Sequence, residues 1–247
     1  AEMARESAER ANHAKSQFVT ALSHELRTPL QSITGFAESL STLELSPHQR
    51  HKALQGVTRA STHILSIVDD VLDLARVEAG AMPIQLEVID AREVVAGACD
   101  LLQPLAEERG IDLVQSGPPL PALVDRRRLR QIILNLVSNA LRFSGPTTSI
   151  RISTATRGAE ALVTVEDEGP GISPELLDRL FVPFDRLGAD AGREGGAGLG
   201  LVLARRLADA MGGSLTLKSA VGIGTTATVS LTRALEDELA DAVEVTE

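Results

Sequence analysis

The sequence has few aromatic residues, a single cysteine and no long apolar runs. Each of these shortages excludes some kinds of structure or cellular location. The 247 residues include five Phe but no Trp and no Tyr, so the core must be built from Leu, Ile, Val and Ala. Cys99 is the only cysteine, which excludes an intrachain disulfide and favours a reducing compartment such as the cytoplasm. No apolar run approaches the ~18 residues of a membrane span. We therefore expect no membrane contact by this segment, whatever the full-length protein does.

Acidic residues outnumber basic ones, 34 to 24. The net charge is −10, and residues 236–247 carry six acids and no base, which predicts a solvated acidic tail over residues 234–247. A nucleic-acid partner would require the opposite sign, so we expect none. The one basic cluster is interpreted as the exposed face of a helix: Arg126, Arg127, Arg128 and Arg130.

The first 80 residues have the pattern of a helical hairpin. Ser46 is a plausible N-cap with Pro47 at the first helical position, which predicts the start of the second helix. Apolar residues recur at three- and four-residue spacing in both helices. In the first they are Phe18, Leu22, Leu26, Leu30, Ile33, Ala37 and Leu40. In the second they are Leu54, Val57, Ser61, Ile64, Val68, Val71 and Ala75. Two helices cannot bury stripes this wide, so we expect two hairpins to pair as a homodimeric four-helix bundle.

From about residue 82 short alternating runs are interspersed with helical patterns. This predicts an α+β or α/β sandwich layered over one sheet, without fixing the strand order. The alternating runs are Met82–Ile89, Ser149–Thr156, Ala161–Glu166, Ser214–Ser219 and Thr225–Leu231. The helical patterns lie near 91–109, 125–142, 174–180 and 199–211.

His24 lies on the first helix, in the segment FVTALSHELRTPL. It is about 160–200° around the helix from Leu22 and Leu26, so we expect it to face solvent. Thr28 is one turn further on, on the same face. A neutral imidazole can attack an electrophile, and the carboxylate of Glu25 can accept its other ring proton. The alternative is an ordinary surface histidine. A zinc-protease motif is excluded because Thr28 stands where the second His should be.

Two further groups of residues suit a nucleotide. Asn135 and Asn139 lie one turn apart on a helix, and their oxygens suit Mg²⁺ and phosphate groups. The alternative is that they are helix caps or surface residues, as Asn in a helix more often is. Asp167 follows an apolar strand and precedes Gly169 and Gly171, so its carboxylate could accept a hydrogen bond from an adenine amine. The alternative for this second motif is an ordinary acidic turn.

Two more motifs follow in the chain. The first is LFVPFDR at residues 180–186, in which Phe181 and Phe184 are expected to pack near the site. The second is GGAGLGL at residues 195–201, whose glycines precede a helix and could present backbone N–H groups to a phosphate. It is not a P-loop, since no Gly-Lys-Ser/Thr occurs, and no strand precedes it as a dinucleotide fold requires.

These motifs resemble those of sensor histidine kinases over roughly residues 12–232. SHELRTPL is similar to the family's phospho-acceptor box. The later motifs are similar, in order, to the Asn box, first glycine box, Phe box and second glycine box of its ATP-binding domain. The resemblance implies that His24 is phosphorylated with help from Glu25, and that Glu25 and Thr28 form a phosphatase motif. It also implies a domain order of signalling helix (1–17), dimerisation and phosphotransfer domain (18–80), ATP-binding domain (81–233) and tail (234–247).

The resemblance further implies ATP and Mg²⁺ as cofactors and a response-regulator receiver domain as partner. Asn139 is then the metal ligand and Asp167 selects adenine, under a mobile lid at about residues 185–198. The implied nucleotide-binding residues are Asn135, Asn139, Arg142, Phe143, Asp167, Gly169, Gly171, Arg186, Gly196, Gly198, Leu199 and Gly200. Arg142 replaces the family's usual Lys, and Ala197 its usual Thr.

Three other functions remain to be weighed against kinase activity. One is a partner phosphatase acting through Thr28, which could coexist with kinase activity. A second is a non-catalytic scaffold, which the intact His24, Glu25 and Asn139 argue against. The third is an ATPase of chaperone or topoisomerase type, which has no histidine-bearing hairpin upstream. The balance of kinase and phosphatase activity, and transfer within or between subunits, stay open.

Overall fold

The computed structural model describes residues 2–185, 197–235 and Leu239. In chain order the helices and strands are α1 (Glu2–Thr42), α2 (Pro47–Glu78), β1 (Glu87–Asp90), α3 (Ala91–Arg109), β2 (Asp112–Ser116), β3 (Pro121–Val124), α4 (Arg126–Phe143), β4 (Ser149–Arg157), β5 (Glu160–Asp167), α5 (Pro174–Leu177), a 3-10 turn (Asp178–Phe181), α6 (Gly200–Ala210), β6 (Ser214–Ala220) and β7 (Gly224–Thr232).

Helices α1 and α2 form the predicted hairpin. Helix α2 begins with a complete capping box, in which the Ser46 side chain accepts a bond from the Gln49 backbone and the Gln49 side chain accepts one from the Ser46 backbone. Gly56 lets the two helices approach closely, because a Cβ there would overlap the Phe36 ring. Among the described residues no helix is both long and apolar enough to cross a bilayer.

The remaining elements form the α/β domain (β1–β7 with α3–α6). Its main sheet has the order β2-β4-β5-β7-β6, in which only β2 and β4 are parallel. Strands β5 and β7 pair although about 60 residues separate them, and this register sets Asp167 opposite Thr225. A second sheet of two strands, β1 and β3, was not expected, so the prediction of a single sheet was wrong.

The main core lies between this sheet and helices α3, α4 and α6. Alternate residues of the central strands are buried, as Ala161, Val163 and Val165 are in β5, so one face of the sheet is covered. Cys99 of α3 is buried in the same core. Helix α4 contributes a broad apolar face: Leu129, Ile132, Ile133, Leu136, Val137, Ala140 and Leu141.

Two short strands were missed and one was misplaced. Residues 112–116 and 121–124 form β2 and β3, too short to show a clear alternation. The strand expected at Met82–Ile89 begins only at Glu87. The preceding residues instead approach α4, where the Gln85 N–H donates to Asp125, the N-cap of that helix, at 3.0 Å.

A second apolar cluster joins the hairpin to the α/β domain. Ile67 and Leu74 of α2 are buried against Leu199 and Val202, with Phe18, Leu22, Leu26, Val71 and Phe184 packed around them. In the single chain the expected stripes are therefore only partly buried. Ile67 was not assigned to the seam, whereas five residues that were assigned to the stripes are exposed: Leu30, Ala37, Leu54, Val68 and Ala75. The reason is that α6 covers a neighbouring face of α2.

Candidate active site

His24 lies on the exposed face of α1, as the helical spacing predicts. Thr28 is also exposed, one turn further on, and its hydroxyl donates to the His24 carbonyl at 3.4 Å. Glu25 is half-buried beside them. Pro29 lies within the helix and has no N–H for the Glu25 carbonyl, so the backbone is one hydrogen bond short here. An accessible imidazole with a carboxylate next in sequence can act as a nucleophile.

The two asparagines occupy consecutive turns of α4. Asn135 uses its Nδ2 to donate to the Gly200 carbonyl at 3.1 Å, which ties α4 to the first residue of α6. Asn139 is half-buried one turn later. Because the Asn135 N–H is bonded to protein, its oxygen is the atom that remains for a metal or phosphate shell.

The end of α4 carries Arg142 and Phe143. The Arg142 guanidinium lies 4.9 Å from the centre of the Phe143 ring, a cation–π contact. The Phe143 carbonyl faces Gly169, so that a Cβ at Gly169 would lie 3.3 Å from it. The C-terminal end of α4 therefore meets the turn that follows Asp167.

Asp167 ends β5 in a polar turn. Its Oδ1 accepts two backbone bonds, from Gly169 N at 2.9 Å and from Thr225 N at 3.2 Å. Burial raises the pKa of Asp167 above its usual value, and the two backbone N–H groups partly oppose that rise. Since both bonds use one oxygen, Oδ2 is the atom that remains to accept from a ligand.

The β6–β7 turn also contacts the turn that contains Asp167 and Gly171, and the sequence patterns did not predict this contact. A Cβ on Gly224 would overlap the Asp167 carbonyl, and Gly171, at φ +68°, is similarly close to the Ala220 carbonyl. Ser219 completes the contact, because its hydroxyl accepts from Ile172 N at 2.9 Å. The run Gly222-Ile-Gly-Thr225 was the available signal, since two glycines before a strand indicate a close backbone approach.

The two phenylalanines of LFVPFDR point to different places. Phe181 packs on the main core, with the Arg205 guanidinium 4.4 Å from its ring centre. Phe184, at φ +64°, makes an edge contact with Phe18 of the hairpin, with ring centres 5.0 Å apart. Phe184 thus lies where the hairpin and the α/β domain meet, packed in the cluster that contains Leu199 and Val202.

The glycine-rich motif is only partly described. Gly198, at φ +70°, accepts a bond from Phe184 N at 3.3 Å, and Leu199 is buried between the hairpin and α6. Gly200 begins α6, and the N-cap residue Leu199 makes no side-chain capping hydrogen bond. Arg186, Gly196 and most of the expected lid at 185–198 lie outside the described residues.

The polar atoms present fit a nucleotide. Asp167 Oδ2 and the backbone N–H groups at the start of α6 are two such groups. The Ser144 hydroxyl beside Phe143 is a third, since it is buried without a hydrogen-bond partner among the described residues. No group of three or more His, Cys, Asp or Glu able to hold a metal occurs in that same part of the chain. A metal there would need oxygens from Asn139 and from a bound phosphate chain, which suits Mg²⁺.

Comparison with known proteins identifies both halves. Residues 14–80 match the His Kinase A (phospho-acceptor) domain, and residues 124–235 match the histidine kinase-, DNA gyrase B- and HSP90-like ATPase. The chain is 37% identical over 234 residues to the histidine protein kinase DivJ of Caulobacter vibrioides, a match covering 93% of this chain and 39% of DivJ.

Two solved structures are also similar. Full-length ShkA in complex with AMPPNP is 32% identical with a TM-score of 0.67, covering 89% of this chain and 46% of that one. Histidine kinase ThkA in complex with response regulator protein TrrA is 22% identical with a TM-score of 0.73, covering 94% and 66%, and shares the fold. This chain therefore spans less than half of DivJ and of ShkA.

The protein is thus a phospho-acceptor hairpin followed by an ATPase-type α/β domain, and it belongs to the sensor histidine kinases of two-component systems.

Proposed function

We propose that the chain transfers the γ-phosphoryl group of ATP to His24 and then to an aspartate of a response-regulator receiver domain. The observation that carries the proposal is an exposed His24 followed by Glu25, joined in one chain to the Asp167 turn and Asn139. The complex of ThkA with a response regulator supports the same class of partner. The need for ATP favours the cytoplasm as the site of this activity.

Each residue of the site has a role in this reaction. Asp167 Oδ2 accepts the adenine amine, while Gly169 and Gly171 shape the turn around the base. Asn139, with help from Asn135, would hold Mg²⁺, which would supply neutralisation of the phosphate charge. Contacts to the phosphates come from backbone N–H groups of Gly196, Gly198, Leu199 and Gly200 and from the side chains of Arg142 and Arg186, with Phe143 beside them.

The chemical step joins the imidazole to phosphorus. A neutral ring nitrogen of His24 attacks in line, an N–P bond forms, and the bond from phosphorus to the β-phosphate oxygen breaks to leave ADP. Glu25 accepts a bond from the other ring N–H and so holds the reactive tautomer. The same carboxylate with Thr28 positions a water for dephosphorylating the regulator.

We further propose that two chains pair through the hairpin, which is the dimerisation and phosphotransfer domain (18–80) between a signalling helix and the ATP-binding domain (81–233). Three exposed side chains of α2 recur at helical spacing, Leu65, Val68 and Leu72. Burying one such side chain contributes ~1.5–3 kcal/mol, so a second hairpin on this face gives a stable bundle. Sedimentation of the full chain measures this directly.

The decisive experiment is labelling with γ-³²P-ATP and Mg²⁺ in the wild type and in His24→Gln. We expect an acid-labile, base-stable label in the wild type alone, with nucleotide binding equal in both. Label that persists in the variant contradicts the acceptor assignment. Thr28→Ala tests the phosphatase role: autophosphorylation should persist while regulator dephosphorylation slows, and equal loss of both contradicts that role.

A further inference from the structure

A row of polar side chains ends the core-facing side of the main sheet. Asp167 of β5 pairs with Thr225 of β7, and Thr225 pairs in turn with Ser219 of β6. Residues that pair directly across strands point to the same side of a sheet. The next row inward packs in the main core and consists of Val165, Ala227 and Leu217. Ser219 and Thr225 therefore lie on the same side of the sheet as the Asp167 carboxylate.

The hydrogen bonds of Ser219 use the whole capacity of its hydroxyl group. Its Oγ accepts from Ile172 N at 2.9 Å and donates to the Gly224 carbonyl oxygen at 2.8 Å. A carbonyl oxygen can only accept, so the second bond uses the single hydroxyl proton of Ser219. Thr225 Oγ1 lies 2.9 Å from the same Oγ. Thr225 must therefore be the donor in this contact, and Ser219 accepts at its second lone pair.

This bonding fixes the direction of the Thr225 hydroxyl proton. Strand β7 lies between β5 and β6, so a proton that points to Ser219 points away from Asp167. The Thr225 hydroxyl makes no other hydrogen bond within the described part of the chain. Its two lone pairs are left for a ligand. Thr225 thus presents acceptors alone, as Asp167 Oδ2 does on the neighbouring strand.

Two neighbouring acceptors suit a base that carries an amine. Directly paired strand residues have Cβ atoms ~5 Å apart, so Thr225 Oγ1 lies beside the Asp167 carboxylate. An exocyclic amine has two hydrogens. Asp167 Oδ2 can accept the first, and Thr225 can accept the second, directly or through a water molecule. A carbonyl oxygen in the same place would meet two acceptors and no donor.

We propose that Ser219 sets the preference of the nucleotide site for an amine-bearing base by holding the Thr225 proton away from the pocket. Ser219 is then a positioning residue, which acts through Thr225 without touching the nucleotide. Without it, the Thr225 hydroxyl is free to rotate and can donate to a base carbonyl. The inference rests on the proposed binding of adenine at Asp167, and it adds a residue of the edge strand β6 to that site.

The test measures the binding of ATP and ITP to the full chain by calorimetric titration, in the wild type and in Ser219→Ala. ITP carries a carbonyl oxygen where ATP has its amine. In the variant the Thr225 hydroxyl can turn its proton towards the base. We therefore expect the preference for ATP over ITP to fall about threefold to tenfold, which is the value of one neutral hydrogen bond. A purely structural role would weaken the binding of both nucleotides by the same factor.

Further variants separate this role from damage to the fold. Ser219→Thr keeps a hydroxyl at a strand position that suits Thr, so its preference should stay within about twofold of the wild type. Ser219→Cys fills the same space with a weak donor and acceptor, so it should lose much of the preference even if Ser219→Ala does not fold. Ser214→Ala removes an exposed serine from the same strand and should change neither affinity. Thermal unfolding without nucleotide checks the fold of each variant.

A double-mutant cycle tests whether Ser219 acts through Thr225. Thr225→Val removes the hydroxyl but keeps the shape of the side chain, so the preference for ATP should fall in this variant alone. Adding Ser219→Ala should then leave the ratio of the two affinities unchanged, because no hydroxyl proton remains to be turned. A further fall of that ratio in the double variant would overturn the role assigned to Thr225 and with it the proposal.

The outcomes are distinct. A wild type that binds neither nucleotide refutes the proposed function itself and this inference with it. A wild type that prefers ATP, with a Ser219→Ala variant that binds both nucleotides equally more weakly, overturns the role of Ser219 and leaves the proposed function intact. Equal affinities in the wild type overturn it too, because there is then no preference to set. A reduced preference in Ser219→Ala, its return in Ser219→Thr and an unchanged Ser214→Ala control support the inference.

Discussion

Replacing Asp167 by Asn separates the structural and the nucleotide-binding roles of this side chain. Two backbone N–H groups, of Gly169 and Thr225, require an oxygen acceptor at the Oδ1 position. The single oxygen of Asn should therefore take that position, and its NH₂ group then replaces Oδ2. The turn survives, but the atom offered to the ligand changes from an acceptor to a donor.

The expected magnitudes follow from these contacts. Loss of the charge weakens the two backbone bonds. It also removes the cost of burying a charged carboxylate, which is what raises the pKa of Asp167. The two effects oppose each other, so the free energy of unfolding should change by less than about 1 kcal/mol. A hydrogen bond from adenine to a charged acceptor is worth about 1.5–3 kcal/mol, so ATP affinity should fall about 10- to 150-fold. ITP carries a carbonyl oxygen where adenine has its amine, and the variant should lose less affinity for ITP than for ATP.

Calorimetric titration with ATP and ITP, together with thermal unfolding, measures both roles. Asp167→Ala is the control, because it loses the turn bonds as well and should unfold more easily. An Asn variant that keeps full ATP affinity, or that loses affinity only in proportion to stability, would refute the assignment of Oδ2 to adenine.

Two further predictions concern stability. Gly171→Ala should destabilise the fold by at least about 2 kcal/mol, because φ is positive and the new Cβ would overlap the Ala220 carbonyl. Gly145→Ala is the control: a Cβ there meets open space, so the free energy of unfolding should change by less than about 1 kcal/mol. Similar melting temperatures in the two variants would contradict this prediction. Burial, and to a lesser extent the neighbouring aspartates, raises the pKa of Asp70 from 3.8 to about 6. Asp70 therefore binds a proton more tightly in the folded protein than in the unfolded one. The stability of the fold should fall as pH rises from about 4 to 6. Asp70→Asn should therefore raise the melting temperature at pH 7 relative to wild type and make little difference at pH 4; an equal effect at both values would count against the pKa.

Local signals predicted much of the hairpin. Ser46, Pro47 and Gln49 lie within one turn of each other, and their capping geometry depends on no distant residue. The solvent-facing position of His24 likewise follows from spacing along one helix. These features could be predicted because the interactions that create them are formed by neighbours in sequence.

Features that depend on distant pairing were missed or misassigned. Thr225 reaches Asp167 only because β5 pairs with β7, and nothing in either strand alone specifies that partner. Burial of Ile67 depends on α6, which is more than 120 residues later in the chain. Phe184 was expected to pack near the site and lies beside Gly198, but the contact of its ring with Phe18 of the hairpin was not foreseen. Composition and periodicity show which face of a helix or strand is apolar. They do not show which other element packs against that face.

The buried position of the one thiol has a practical consequence. Burial and the charge of Asp100 raise the pKa of Cys99 to about 11, so at neutral pH the sulfur is both protonated and out of reach of maleimide reagents. Cysteines introduced at exposed Thr62 and Arg130 would accept a pair of fluorophores with no competing reaction at the natural residue. The separation of α2 and α4 could then be followed by energy transfer in an otherwise unmodified protein.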